Sequence, residues 1–495
     1  MPIADSSREA GQCGAPGRAG RHGTVLTLCL LFIVACIAWI EPLYRLPLHI
    51  DYNYNEGWNA YFAARAAQGM EIYAQTNGLV WANYPPVSFY VLSLFRPWVT
   101  DYVVAGRLLA GVAYLSVALG LVMIGARLCR SWTVGGLMAA FFLTGMGVHY
   151  RMYVAMNDPQ MLAHAFMVSG VAVYVWRANA GTVVLAAALI VIGGFTKHTL
   201  LGVPLAMTVY VAAFDRPRLW LWIGALALFS ATGFWLCYSL FGPDFFTQIF
   251  ATRTYSLKDL IQKCSEWFSV WSLPLAALVV AWSALPADRG IYLGLALALA
   301  SSIVAVPLSG GAGVFYSVMF DVLIGLSIGV GAVVARVRTL AGPSTRSAVI
   351  AFVLPLAMSL CLLLPAPASL ARALNHVFGN EWLARYAAAG VEDTDYLRDR
   401  SGPAFCEKLA ICYWAGKAFE IDHFNAHQAV LIGKLNAAVV HDKIRGRHYQ
   451  VIQLSHFDEP QDGQLYTQAF LDLLAANYRL DRRSLNGVFF QPRDD

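Results

Sequence analysis

Apolar stretches long enough to cross a bilayer recur along this chain, and no other feature restricts its folding as much. They fall at about 24–44, 103–126, 132–149, 159–176, 181–196, 199–214, 219–241, 267–285, 290–308, 314–335 and 347–364. A spanning helix needs about 20 such residues, somewhat fewer where loops are tight. In hydrocarbon the backbone must satisfy its own hydrogen bonds, so these runs fold as helices. Composition agrees: the 495 residues are 58% hydrophobic and only 13% charged, against about 25% charged in soluble globular chains. The chain therefore reads as an α-helical polytopic membrane protein with about eleven transmembrane helices. A net charge of +5, dispersed along the sequence, excludes a nucleic-acid patch. The nine cysteines show no metal-ligand spacing, so neither a metal nor a cofactor is expected.

The first run is too long for the apolar core of a cleaved signal and reads as a retained helix. It follows a polar segment, 1–23, that holds Arg8, Arg18 and Arg21. With that segment in the cytoplasm, the short inner loops hold Arg127 and Arg130, Arg177, Arg216 and Arg218, Arg289, and Arg336, Arg338 and Arg346. That is the distribution the positive-inside rule requires. The segment "YPPVSFYVLSLF", 84–95, is too short to cross and carries two prolines. It suits an interfacial or re-entrant helix within a first outer loop at 45–102. Eleven crossings leave the C-terminus outside the cytoplasm.

From about 366 to 495 the composition changes. Apolar and polar pieces alternate in "GPAFCEKLAICYWAG", "FNAHQAVLIGKLNAAVV", "YQVIQLSHF" and "LYTQAFLDLLAANYRL". The pattern suggests strand, helix, strand, helix, in a small extracytoplasmic C-terminal α/β domain. Cys406 and Cys412 lie in it; an oxidising compartment permits a disulfide there, and two buried free thiols are the other reading.

Chemistry-bearing residues gather at the outer face. The stretch "DYNYNEGWNAYFAARAAQG" follows the first span, with Asp51 and Glu56 within six residues. It reads as a short helix capped by Asn55 and ended by Gly69, with Glu56 in its first turn. Asp158 opens a span after "HYRMYVAMNDPQ", which also holds Arg151. "FTKHT" places Lys197 and His198 at the next outer turn, and Arg107 lies near the outer end of its span. Acids and cations clustered at one interface suit an anionic lipid-linked substrate. Each also has a plainer use. Glu56 can complement a helix dipole, Asp158 can cap a helix, Lys197 can snorkel and Arg107 can pair with a lipid phosphate. The nearby Tyr and Trp can form an interfacial belt. Asp321, within the tenth span, either lines a cavity or bonds a neighbouring helix.

The order of "NYPPVSFYVLSLF", "VVAGRLLAG", "MNDPQML" and "GGFTKHTLLGVPLA" behind an acid-bearing first loop resembles the polyprenyl-phosphate-sugar-dependent glycosyltransferases of the GT-C fold. These include protein O-mannosyltransferases and lipid A aminoarabinose transferases. The likeness covers roughly residues 24–215. It implies inverting transfer of a sugar from a polyprenyl-phosphate donor to a lipid, glycan or protein acceptor on the outer face of a bacterial inner membrane. The family's first-loop acidic pair corresponds to Asn55-Glu56, with Asp51 upstream; its second-loop Asp to Asp158; its lysine to Lys197; its arginine to Arg107. On this basis Glu56 is the expected base, with Asp51 and Asp158 sharing or supporting the role. Arg107 and Lys197 are expected to hold the donor phosphate, with Arg151, His198 and Asp321 as further substrate contacts. A transporter or flippase for lipid-linked anions, or an oligosaccharide ligase, would use similar residues. The first would favour two similar halves and the second a large late outer loop, and neither is evident.

Overall fold

The computed structural model describes residues 18–74, 78–341, 344–455 and 466–494. Most of the polar N-terminal segment lies outside these, as does the tail stretch from His456.

Each expected apolar run coincides with a helix. The first is α1 (Arg18–Ala38) continued by α2 (Ile40–Arg45). After the first outer loop, which carries α3 (Tyr54–Ala67) and α4 (Val87–Ser93), come α5 (Tyr102–Leu128), α6 (Trp132–His149), α7 (Gln160–Trp176), α8 (Ala180–Thr196) and α9 (Gly202–Phe214). Then follow α10 (Leu219–Ile249), α11 (Leu257–Ala284), α12 (Arg289–Leu308), α13 (Phe320–Leu340), α14 (Thr345–Met358) and α15 (Leu360–Leu363). Seven spans among the described residues are long and apolar enough to cross, or eight with the bent 345–379 pair. The helices α7, α8 and α9 are shorter apolar helices of 13 to 17 residues. Length and composition thus support a multi-span membrane protein without fixing eleven crossings.

Polar residues start the helices where the sequence turns apolar. The Asp101 carboxylate accepts the Val103 N–H at 2.8 Å, Ser131 that of Val134, and Asp288 that of Gly290. An Asn179–Thr182 capping box opens α8. At the core, α13 is almost wholly buried and packs on α12 and α6. Glycines make the α12–α13 approach possible, because a Cβ on Gly294 would sit 2.6 Å from the Gly329 Cα. Small residues at such a crossing replace the hydrophobic drive that lipid cannot supply.

One end of the bundle is basic. Arg127 donates to the Trp176 carbonyl (3.0 Å), Tyr174 to Asp215 (3.0 Å) and Arg338 to Thr24 (3.4 Å), and Arg289 stacks on Phe214 at 5.5 Å. The opposite end carries α3, α4, the polar first turns of α11 and the C-terminal region. That region is more helical than its sequence suggests. It opens with α16 (Ala366–Leu374) and α17 (Trp382–Arg398). Strand β1 is confined to Ala404–Cys406, and "KLAICYW" turns into α18 (Leu409–Trp414). Next come α19 (His423–Leu431), α20 (Ala438–Arg445), β2 (Val451–Leu454) and α21 (Gln468–Asn477). The expected alternation misses the final hairpin, β3 (Tyr478–Ser484) and β4 (Gly487–Pro492). Its edge strand is polar (Arg479, Asp481, Arg482, Arg483) and lacks an apolar run. The sheet order is β1-β2-β4-β3, with β1 and β2 parallel and the other pairs antiparallel.

Gly294→Leu forces α12 and α13 apart, and overpacking of this kind costs about 1–3 kcal/mol. Thermal unfolding in detergent will show a lowered midpoint for it. Gly224→Leu, with nothing within 4 Å of the added Cβ, will unfold near the parent temperature.

Candidate functional site

The helix α3 begins two residues earlier than "NEGW" suggested. Asn53 is its cap, accepting the Asn55 N–H at 3.0 Å, and the left-handed Gly69 follows its end. Glu56 does fall in the first turn, yet it does not face open space. Both of its oxygens are taken by Arg107, through Nε at 2.8 Å and Nη2 at 2.7 Å, and Oε1 also accepts the Asn157 N–H at 3.2 Å. The pair is fully buried. Burial would raise the Glu56 pKa, but Arg107, then Arg45 and the Asn157 amide, outweigh it and hold the carboxyl below its ordinary value. The remaining Arg107 hydrogens go to the carbonyls of Arg45, Leu46, Leu48 and Ile50 at 2.6–3.3 Å. Glu56 and Arg107, expected as base and phosphate clamp, thus bind each other in this structure and are not among the residues that line the cavity described below. The buried carboxylate already accepts three hydrogen bonds, and a saturated guanidinium has no donor left for a phosphate.

Three other expected contacts are likewise architectural. Arg151 pairs with Glu41 (2.7 Å) and donates to the Ser369 carbonyl (2.9 Å), tying α2 to α16. Asp321 lies in the first turn of α13, not deep in a span, and meets His164 Nδ1 at 2.9 Å with both groups buried. It bonds the neighbouring helix α7. Asp158 accepts Lys197 Nζ (3.1 Å), the Gln160 N–H (2.8 Å) and Asn55 Nδ2 (3.1 Å). Lys197 also sits 4.9 Å from the Tyr84 ring. This pair stands behind Asn55 and Tyr84, which are wall residues of the main cavity. His198 lies beside it, and burial, then Lys197 and Arg253, depress its pKa to about 4.

That cavity, about 480 Å³, opens between the membrane helices and the C-terminal region. Asp51, Asn53, Tyr54, Asn55 and Trp58 form one wall; Arg253, Asp259 and Lys263 form another; Glu407, Lys408 and Asn425 close it from the C-terminal side. Asp51 is the expected site residue that faces this space directly. It is 6% exposed, and burial raises its carboxyl to about 6 against the pull of Lys408 and of the Ala410 N–H, which reaches Oδ2 at 2.8 Å. Arg253 is held by the Ala312 carbonyl (3.2 Å) and Asn425 Oδ1 (2.8 Å). Lys263 is held by the Ser309 and Val314 carbonyls (3.1 and 2.6 Å). Among the described residues no group of three His, Cys, Asp or Glu could hold a metal ion.

Sequence reasoning missed Arg253, Asp259, Lys263, Glu407 and Lys408. The signal lay in "RTYSLKDLIQK", a charged stretch running directly into a span, so that α11 projects its first turns beyond the bilayer. The docking of the C-terminal region was also unforeseen. The buried Asp422 accepts from Trp58 Nε1 (3.0 Å) and from Tyr54, and its own side chain caps α19. Cys406 and Cys412 form a disulfide, with Cα atoms 6.0 Å apart.

Two solved structures share this architecture. ArnT from Cupriavidus metallidurans bound to undecaprenyl phosphate matches with a TM-score of 0.57 and 16% identity, over 93% of this chain and 97% of that one. The apo state of the same protein matches with a TM-score of 0.56, also at 16% identity and over the same shares. No family model matches the chain, and neither does any curated protein sequence. The likeness establishes a GT-C-like fold along nearly the whole chain.

Removing one partner of a buried ion pair typically costs about 3–5 kcal/mol, because the other charge is left unpaired. Arg107→Ala will therefore give a protein with a strongly lowered unfolding midpoint, measured by thermal melting in detergent. Asp259→Ala, at the cavity wall, will leave that midpoint nearly unchanged.

Proposed function

We propose that this protein is an integral membrane glycosyltransferase that moves a sugar from a polyprenyl-phosphate donor to an acceptor hydroxyl on the outer face of the membrane. The observation that carries the reading is the cavity itself. A carboxylate with a raised pKa faces Arg253 and Lys263 across one space, at the border between membrane helices and an outer region, on a fold shared with a protein solved with undecaprenyl phosphate.

Asp51 is the proposed base. It takes the proton from the acceptor hydroxyl as that oxygen attacks the anomeric carbon from the face opposite the leaving phosphate, which inverts the centre. A base with a pKa near 6 is ionised at neutral pH yet basic enough to accept a proton. The leaving lipid phosphate gains negative charge as the bond breaks. Arg253 and Lys263, already oriented by carbonyls and Asn425, stabilise that charge without reorganising. Asp158 and Lys197 act one layer back by fixing Asn55 and Tyr84 in the wall. The aromatic and amide side chains of Tyr54, Trp58, Asn53 and Asn83 suit a sugar's apolar faces and hydroxyls.

The cavity end is assigned to the outside and the basic end to the cytoplasm. The arginines at the opposite end follow the positive-inside rule, and the Cys406–Cys412 disulfide suits an oxidising compartment. Reporter fusions after Arg130 and after Pro367 will report opposite sides of the membrane. The same side for both would remove the cavity from the outer face and with it this reading.

Turnover with a radiolabelled polyprenyl-phosphate sugar will rise with pH along a limb centred near 6, because only ionised Asp51 accepts the proton. Asp51→Asn will lose about 10²–10⁴-fold in turnover and flatten that limb while the donor still binds. Asp51→Asn at parental turnover would end the assignment of the base. A parent protein that consumes no such donor would end the glycosyltransferase reading.

A further inference from the structure

The short loop closed by Cys406 and Cys412 touches the cavity at several points. Its residues Glu407 and Lys408 line the space beside Asp51. Its Ala410 N–H donates to Asp51 Oδ2 at 2.8 Å. Gly57, next to Glu56 on α3, lets this backbone come close, since a Cβ there would lie 2.2 Å from the Ala410 nitrogen. Beyond the second cysteine, the Tyr413 hydroxyl accepts the Tyr102 N–H (3.2 Å), and Trp414 Nε1 donates to Asp101 (2.9 Å). The loop thus docks on α3 and on the start of α5 while presenting a backbone donor to Asp51. Both cysteines are buried, and their crosslink joins the end of β1 to the middle of α18.

We infer that the disulfide-closed loop Cys406–Cys412 is a positioning element for Asp51: the crosslink fixes where the Ala410 N–H and Lys408 stand, and so sets the orientation and proton affinity of the carboxylate. The inference rests on the proposed function only for its effect on turnover. The physical reason is that β1 is an edge strand paired only with β2, so the crosslink adds a covalent tie between the sheet and α18 to the Tyr413 and Trp414 contacts at its far end. The crosslink ties the first turn of α18, whose Ala410 N–H meets Asp51, to the sheet. A backbone N–H on a carboxylate favours the ionised form, so its withdrawal raises the proton affinity of Asp51. The charged groups acting on Asp51 are Lys408 from the loop, Glu56 from α3 and Arg107 from α5. Across the cavity stand Arg253, Asp259 and Lys263, with Glu407 beside Lys408. Of these, the loop carries Lys408 and Glu407, so displacement of the loop changes the balance while the Glu56–Arg107 pair stays in place.

The test uses the full-length protein in detergent and needs no donor. Asp51 is labelled with a small carbodiimide at a series of pH values, and its labelled fraction is read by mass spectrometry, giving its protonation midpoint directly. The parent midpoint is expected near 6. The Cys406→Ala/Cys412→Ala variant, which leaves no buried hydroxyl, is expected to shift it upward, and its turnover to fall by about tenfold, the scale of losing one hydrogen bond to a charged group. Gly57→Ala keeps the disulfide but crowds Ala410, and is expected to shift the midpoint the same way. A folded variant, judged by parental elution on gel filtration, with an unmoved Asp51 midpoint overturns the inference. If the cysteine variant does not fold, Gly57→Ala decides alone, with the same criterion. A shifted midpoint in a protein that shows no transferase activity in any form would uphold the positioning role and sink the proposed function instead.

Discussion

The Glu56–Arg107 pair is the contact on which the cavity end of this molecule is built. Arg107 projects from α5 and supplies donors in a fixed planar fork. Two of them bind both oxygens of Glu56, and the others bind carbonyls of the irregular segment 45–50. Backbone carbonyls in such a segment at a membrane boundary must find donors within the protein. One side chain meets that demand and fixes α3 at the same time. Gly106 beside it admits Asn157, whose amide bonds the Glu56 and Tyr102 carbonyls at 3.0 and 3.2 Å. The first outer loop, α5 and the turn before α7 are thereby locked together. Asp51, Tyr54, Asn55 and Trp58 then project from a rigid base.

Three further pairs among the buried ionisable groups follow the same rule. Glu41 meets Arg151, Asp158 meets Lys197, and Asp321 meets His164, each pair joining separate elements. A charge in this environment is tolerated only with a partner. Paired charges therefore report packing, and a cavity-facing carboxylate is the better mark of chemistry. Asp51 meets that standard. It borders the cavity, and burial raises its carboxyl to about 6, so that it is still ionised at neutral pH but more basic than an exposed aspartate.

The cavity exists only because two parts of the chain meet. Membrane-side residues supply the floor and the cationic wall, and the C-terminal region supplies the lid with Lys408, Glu407 and Asn425. Asp422 secures the junction by accepting from Trp58 and Tyr54 while capping its own helix.

The sequence by itself determined the membrane helices, because each run of about 20 apolar residues has few other ways to satisfy its backbone. It also marked α3 as a short outer helix and placed 84–95 as a segment too short to span. In the C-terminal region it indicated strands and helices but missed the β3–β4 hairpin, whose edge strand carries Arg479, Asp481, Arg482 and Arg483 instead of an apolar pattern. The gathering of acids and cations at one face was legible as well. The division of labour among them was not. Glu56 and Arg107 looked like chemistry because their types and order fit it, and whether a carboxylate faces a guanidinium or a cavity depends on contacts between residues 51 positions apart. Arg253, Lys263 and Lys408 join Asp51 only when α11 overshoots the bilayer and the C-terminal region folds back over α3. Ionisable groups act through their nearest neighbours in space, and that neighbourhood was decided by the tertiary structure alone.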